Sequence, residues 1–141
     1  MKIFLIFVFI IVVFLFAATQ YFTRQVAAEV PPSGNFITVD GVQLHYSDIK
    51  AGEDADLLPM VFIHGASANL RDQQAVFGER LRKRGRMIFV DRPGHGFSSR
   101  GDADDIASPW AQAKLISGLL KKLEIEKAII LGHSWGGAVA A

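Results

Sequence analysis

In Ala128-Ile129-Ile130-Leu131-Gly132-His133-Ser134-Trp135-Gly136-Gly137, four apolar residues run without a break into a turn built from glycine and serine. A short continuous apolar run of this kind reads as a strand covered on both faces. The turn itself, Gly132 to Gly136, fits G-x-S-x-G, a pattern in which the chain reverses sharply from strand into helix. Small residues are needed two positions either side of the serine, at Gly132 and Gly136, because a Cβ at either would strike the reversing chain. Ser134 is then strained at the tip of the turn, its hydroxyl exposed at the positive end of the next helix, as a nucleophile requires. His133 fills the variable position. An ordinary glycine-rich turn is the competing reading.

Working back from this turn, two more short apolar runs read as buried strands, Met60-Val61-Phe62-Ile63 and Met87-Ile88-Phe89-Val90. Between them, Asn69 to Arg84 carries Leu70, Val76, Phe77 and Leu81 among polar residues and reads as an amphipathic helix ending at Gly85. A second helix is capped by Ser108 with Pro109 at its first position, and Leu115, Ile116, Leu119, Leu120 and Leu123 form its apolar stripe. Upstream, Phe36–Val39 and Val42–Tyr46 flank Asp40-Gly41, which supplies the positive φ angles of a two-residue hairpin turn. A hairpin followed by alternating strands and helices predicts an α/β fold, a mostly parallel sheet with helices on its faces.

Each of the first two central strands also runs into a loop with residues suited to chemistry. His64-Gly65-Ala66-Ser67 fits a loop that lends a backbone N–H, that of Ala66, to an oxyanion hole whose second donor is the Trp135 N–H. A plain strand-to-helix turn, with His64 simply hydrogen-bonded in place, fits equally. In Asp91-Arg92-Pro93-Gly94-His95-Gly96-Phe97-Ser98 no residue is required by a catalytic step. Asp91 and Arg92 are expected to form a structural ion pair or a loop clamp, and His95 to pack or hydrogen-bond.

These three loops, in this order, resemble the α/β-hydrolase superfamily, in the group with H-G-x, D-x-x-G-x-G-x-S and G-H-S-x-G-G motifs. The resemblance covers residues 36–141. It implies an α/β-hydrolase-type sheet with an N-terminal β-hairpin and flanking helices, and a Ser–His–acid triad with Ser134 as nucleophile. Ala66 and Trp135 would supply the oxyanion-hole N–H groups, supported by His64, Gly65, Gly132, His133 and Gly136. The group contains serine esterases, carbon–carbon bond hydrolases and cofactor-free haloperoxidases, so neither metal nor organic cofactor is implied. A serine at the tip argues against the dehalogenases and epoxide hydrolases of the same fold, which are known for aspartate there. The family order is Ser, acid, His, yet only seven residues come after Ser134, and His45, His64, His95 and His133 all precede it. The sequence is therefore expected to represent the N-terminal half of a hydrolase, truncated after the elbow and inactive by itself.

Composition separates the N-terminal segment from this domain. Over all 141 residues, 15 Lys and Arg balance 14 Asp and Glu and there is no cysteine. The first two figures give no basic footprint for nucleic acid, and the last excludes disulfides, Cys-ligated zinc and a thiol nucleophile. Only Lys2 and Arg24 are charged before Glu29, and Ile3 to Ala18 is unbroken apolar sequence. As a helix, Ile3 to Phe22 would span about 30 Å, roughly one hydrocarbon core. Residues 1–24 thus read as a transmembrane anchor or signal segment, 25–35 as a linker broken by Pro31, Pro32 and Gly34, and 36–141 as a partial hydrolase domain. The leading localisation is a single-pass membrane protein with an extracytoplasmic domain. Cleavage after Ala28, giving a secreted or periplasmic protein, is the alternative.

The expected activity is that of a membrane-anchored or exported serine hydrolase acting on a small-molecule ester or acyl substrate. Haloperoxidase or perhydrolase chemistry, carbon–carbon bond hydrolysis, and a non-catalytic binding module on the same fold are the alternatives.

Overall fold

The computed structural model describes residues 2–141, divided into an N-terminal unit ending at Pro32 and a second unit, Ser33–Ala141. The first unit is one helix, α1 (Lys2–Glu29), with no buried residue. It is long and apolar enough to cross a membrane, a property shared with signal sequences. It continues through residues 25–29, expected to be linker, because nothing before Pro31 and Pro32 interrupts helical hydrogen bonding.

The second unit contains β1 (Asn35–Val39), β2 (Val42–Ile49), β3 (Met60–Ile63), α2 (Leu70–Leu81), β4 (Met87–Val90), α3 (Pro109–Lys122), β5 (Ile129–Gly132) and α4 (Trp135–Ala140). The strands form one sheet in the order β1-β2-β4-β3-β5. β3, β4 and β5 are parallel, while β2 joins β4 antiparallel and carries β1 as a hairpin. The hairpin turn has φ of 47° at Asp40 and 81° at Gly41, the two positive angles that its right-handed twist requires. Register aligns Ile63 with both Val90 and Gly132, so the residues after all three parallel strands emerge at one rim.

Strand alternation splits the core into two layers. Val61, Ile63, Ile88 and Val90 face Leu115, Ile116 and Leu119 of α3, together with Val39, Leu44 and Val139. Met60, Phe62, Met87 and Phe89 face the opposite way, onto Leu70, Phe77 and Leu81 of α2. There Phe62 stacks on Phe89 with ring centroids 4.4 Å apart.

Three local expectations are corrected. α2 stops at Leu81 rather than Arg84, because the Arg84 carbonyl leaves the helical path to accept Asp56 N–H and Leu57 N–H at 3.1 and 2.8 Å. Val76, placed on the apolar stripe by spacing, is 47% exposed. β5 is not covered on both faces: among the described residues it pairs with β3 alone, and Ile129 and Ile130 are 38% and 39% exposed.

Candidate active site

The loops after β3, β4 and β5 meet at the rim. Ser134 stands between β5 and α4 at φ 51°, ψ −119°, a region that costs a non-glycine residue on the order of 1–3 kcal/mol and persists only where its surroundings impose it. The imposing contacts are glycine-dependent. A Cβ on Gly132 would collide with the Gly136 backbone, and one on Gly136 with the Ile63 and His64 carbonyl oxygens. Backbone bonds lock the reversal: His133 N–H to Ile63 O at 2.9 Å, Gly136 N–H to His133 O at 2.9 Å and Gly137 N–H to Ser134 O at 2.8 Å. Gly65 lies against the same turn, its Cβ position 3.2 Å from both Ser134 Cβ and His133 Nδ1. The structure therefore brings Ser134, His133, Gly132, Gly136, His64 and Gly65 together. Trp135 follows the serine and Ala66 follows Gly65 in the chain, and both are exposed. Among the described residues, neither the Ala66 N–H nor the Trp135 N–H has a backbone acceptor.

Behind the rim lies a buried polar network. His64 Nε2 accepts from Arg92 N–H at 3.0 Å, so the ring proton sits on Nδ1 and is donated to Gly65 O at 2.8 Å. Burial, with the Arg92 charge beside it, holds His64 below the ordinary histidine range, and the neutral ring suits both bonds. His95 Nε2 reaches Ala66 O at 2.8 Å.

Asp91 and Arg92 do not pair with each other. The Asp91 carboxylate turns towards β2, where it meets His45 Nδ1 at 2.7 Å and accepts Leu70 N–H at 2.8 Å and Phe97 N–H at 3.0 Å. Ser98 Oγ donates to Asp91 O and accepts from His45 N–H. Adjacent residues in an extended segment point to opposite sides, so Arg92 goes the other way, to the β3–α2 loop. Of the two expected arrangements the clamp is the one formed. Gly96, at φ 52°, is needed because a side chain there would strike the Asp91 carboxylate. Sequence reasoning missed His45 and Gln112 as members of this network. Gln112 left a trace, a polar residue on the α3 face that carries Leu115, Ile116 and Leu119. His45 left none, since an inward-facing histidine on a strand has no distinguishing spacing.

Residues 59–141 match the family model described as the alpha/beta hydrolase fold. The chain belongs to the α/β-hydrolase fold family. Among relatives of this α/β-hydrolase chain, the dihydrolipoyllysine-residue acetyltransferase component of the acetoin cleaving system of Pseudomonas putida is 37% identical over 90 residues, 58% of the chain and 21% of that protein. The 2-hydroxymuconate semialdehyde hydrolase of Pseudomonas sp. (strain CF600) is 32% identical over 114 residues, 78% of the chain and 38% of that protein. Among solved structures, an esterase from Exiguobacterium antarcticum superposes with a TM-score of 0.64 at 31% identity, covering 77% of this chain and 38% of its own. The α/β-hydrolase chain thus spans between about a fifth and two fifths of the proteins it is compared with.

Proposed function

We propose that the protein carrying this chain is a membrane-anchored or exported serine hydrolase acting on an ester or related acyl bond. The observation that carries the reading is Ser134: a non-glycine residue held at φ 51° on a strand-to-helix turn that glycines at both flanks and Gly65 alongside make possible. In the proposed step, Ser134 Oγ attacks the substrate carbonyl while a base takes its proton. The charge developing on the carbonyl oxygen is met by the Ala66 and Trp135 N–H groups. His45, His64 and His95 have ring nitrogens in contact with Asp91, Gly65 and Ala66, and His133 is the variable residue of the turn itself, directly before Ser134, so the proposal assigns the triad histidine and its acid to chain outside residues 1–141. Anchoring or export rests on α1, whose length and composition suit either.

The test uses the protein as its natural gene encodes it, with p-nitrophenyl acyl esters as substrates. Ser134→Ala is expected to lower turnover by roughly 10³-fold or more, and residues 29–141 alone to give none. Undiminished turnover by Ser134→Ala overturns the proposal. Carbon–carbon bond hydrolysis is the second reading, favoured by the similarity to 2-hydroxymuconate semialdehyde hydrolase. Product analysis with a ring-cleavage dienoic acid separates the two.

A further inference from the structure

Among the described residues Arg92 is the largest fully buried side chain, 1% exposed, and the proposed chemistry leaves it without a task. A guanidinium is costly to desolvate unless every donor is engaged. Three donors go to neutral oxygens: Nε donates to His64 O, Nη2 to Gly65 O and Nη1 to Gln112 Oε1, each at 2.9 Å, and Nη2 also lies 3.2 Å from His95 Nε2. Gln112 is held in turn by its own Nε2, which donates to Ile106 O at 3.2 Å. The Gly65 carbonyl also accepts the His64 Nδ1 proton at 2.8 Å.

Two donors on this one oxygen have a directional consequence. In a trans peptide the carbonyl and the following N–H lie in one plane and point opposite ways. Fixing Gly65 O therefore fixes the Ala66 N–H, and bonding at the oxygen strengthens the N–H of the same group as a donor. The peptide concerned is the one whose first residue, Gly65, lies against Ser134. The next carbonyl, that of Ala66, lies 2.8 Å from His95 Nε2.

We propose that Arg92 is a positioning residue, whose guanidinium aims and polarises the Gly65–Ala66 peptide so that the Ala66 N–H is a preorganised oxyanion donor beside Ser134. This rests on the serine-hydrolase reading above. It differs from a purely structural clamp in requiring the fork geometry of arginine, because lysine supplies a charge but not two divergent donors to consecutive carbonyls.

The experiment compares the natural gene product with its Arg92→Lys, Gln112→Glu and Ser134→Ala variants. Two quantities are read: kcat and KM on p-nitrophenyl acetate, and the carbonyl stretching frequency of the acyl-enzyme by infrared difference with a ¹³C-labelled acyl group. Loss of a whole oxyanion donor costs about 10²–10³ in kcat, so a misaimed donor in Arg92→Lys should cost roughly 10- to 100-fold, with KM within about twofold. Its acyl carbonyl band should move to higher wavenumber, since a weaker hydrogen bond leaves a stiffer C=O. Gln112→Glu, which is nearly isosteric, draws the guanidinium charge away from Gly65 and should shift both quantities the same way by a smaller amount. If Arg92→Lys does not fold, Gln112→Glu decides by the same two readouts. Ser134-dependent turnover with an unchanged kcat and an unshifted band in the folded variants overturns this inference alone. Turnover that survives Ser134→Ala, or a wild type without turnover, overturns the reading on which it rests.

Discussion

Replacing Asp91 by alanine should be among the most damaging single substitutions in the Ser33–Ala141 unit. The carboxylate is 1% exposed and accepts three hydrogen bonds, from Leu70 N–H, Phe97 N–H and His45 Nδ1. Alanine leaves two backbone donors and one ring donor unpaired, in a place that water does not reach freely. A stranded buried donor costs about 1–3 kcal/mol, and three are stranded here, one of them from the part-buried Phe97. The expected loss is therefore about 3–5 kcal/mol, with no cavity term of any size because little volume is removed. Asp91→Asn keeps the shape and one acceptor but turns an amide donor towards another donor, so about half that loss is expected. With a urea dependence of about 1–3 kcal/mol per molar, the midpoint should fall by roughly 2 M for the alanine variant. The assay is a urea titration of the whole chain in neutral detergent, read by pulse proteolysis. A loss below about 1 kcal/mol for Asp91→Ala would refute the reasoning, because it would mean that the three donors find other acceptors without cost.

Gly136→Val should prevent folding, since its side chain has nowhere to go but into the Ile63 and His64 carbonyls. Gly137→Ala, whose Cβ would sit 3.8 Å from Gly132 O, should be tolerated within about 1 kcal/mol; circular dichroism of the two variants checks the contrast. His64 is neutral in the fold and its pKa lies below the ordinary value, so the unfolded chain takes up a proton first as the pH falls through about 6.5. The stability it contributes is complete above that pH and declines below it until the lowered native pKa is reached. A His64 ring that titrates at or above the ordinary value by NMR would contradict this. Residues 1–24 should keep the chain with membranes through a carbonate wash, and their deletion should release it; mature protein beginning at Glu29 would show cleavage instead.

The elbow was readable because its chemistry is local. Gly132 and Gly136 are dictated by collisions within a few residues of Ser134 and with the adjacent strand end, and an apolar run followed by G-x-S-x-G states both. The hairpin was readable from Asp40-Gly41 for the same reason. What stayed hidden depends on partners distant in sequence. Asp91 turns to His45, 46 residues away, and nothing in Asp-Arg says that the two side chains will part company. The end of α2 was misplaced for a related reason: Gly85 is a reasonable stop signal, but the chain leaves the helix earlier to pair Arg84 O with residues 56 and 57.

The central claim is that Ser134 is a nucleophile, and covalent capture tests it most directly. The natural gene product is treated with a fluorophosphonate, digested with trypsin and analysed by mass spectrometry for the peptide that begins at Ala128. The account predicts one phosphonyl group on Ser134, absent after Ser134→Ala and absent when the protein is unfolded before treatment. An unmodified Ser134, or a label that persists elsewhere in Ser134→Ala, would contradict it.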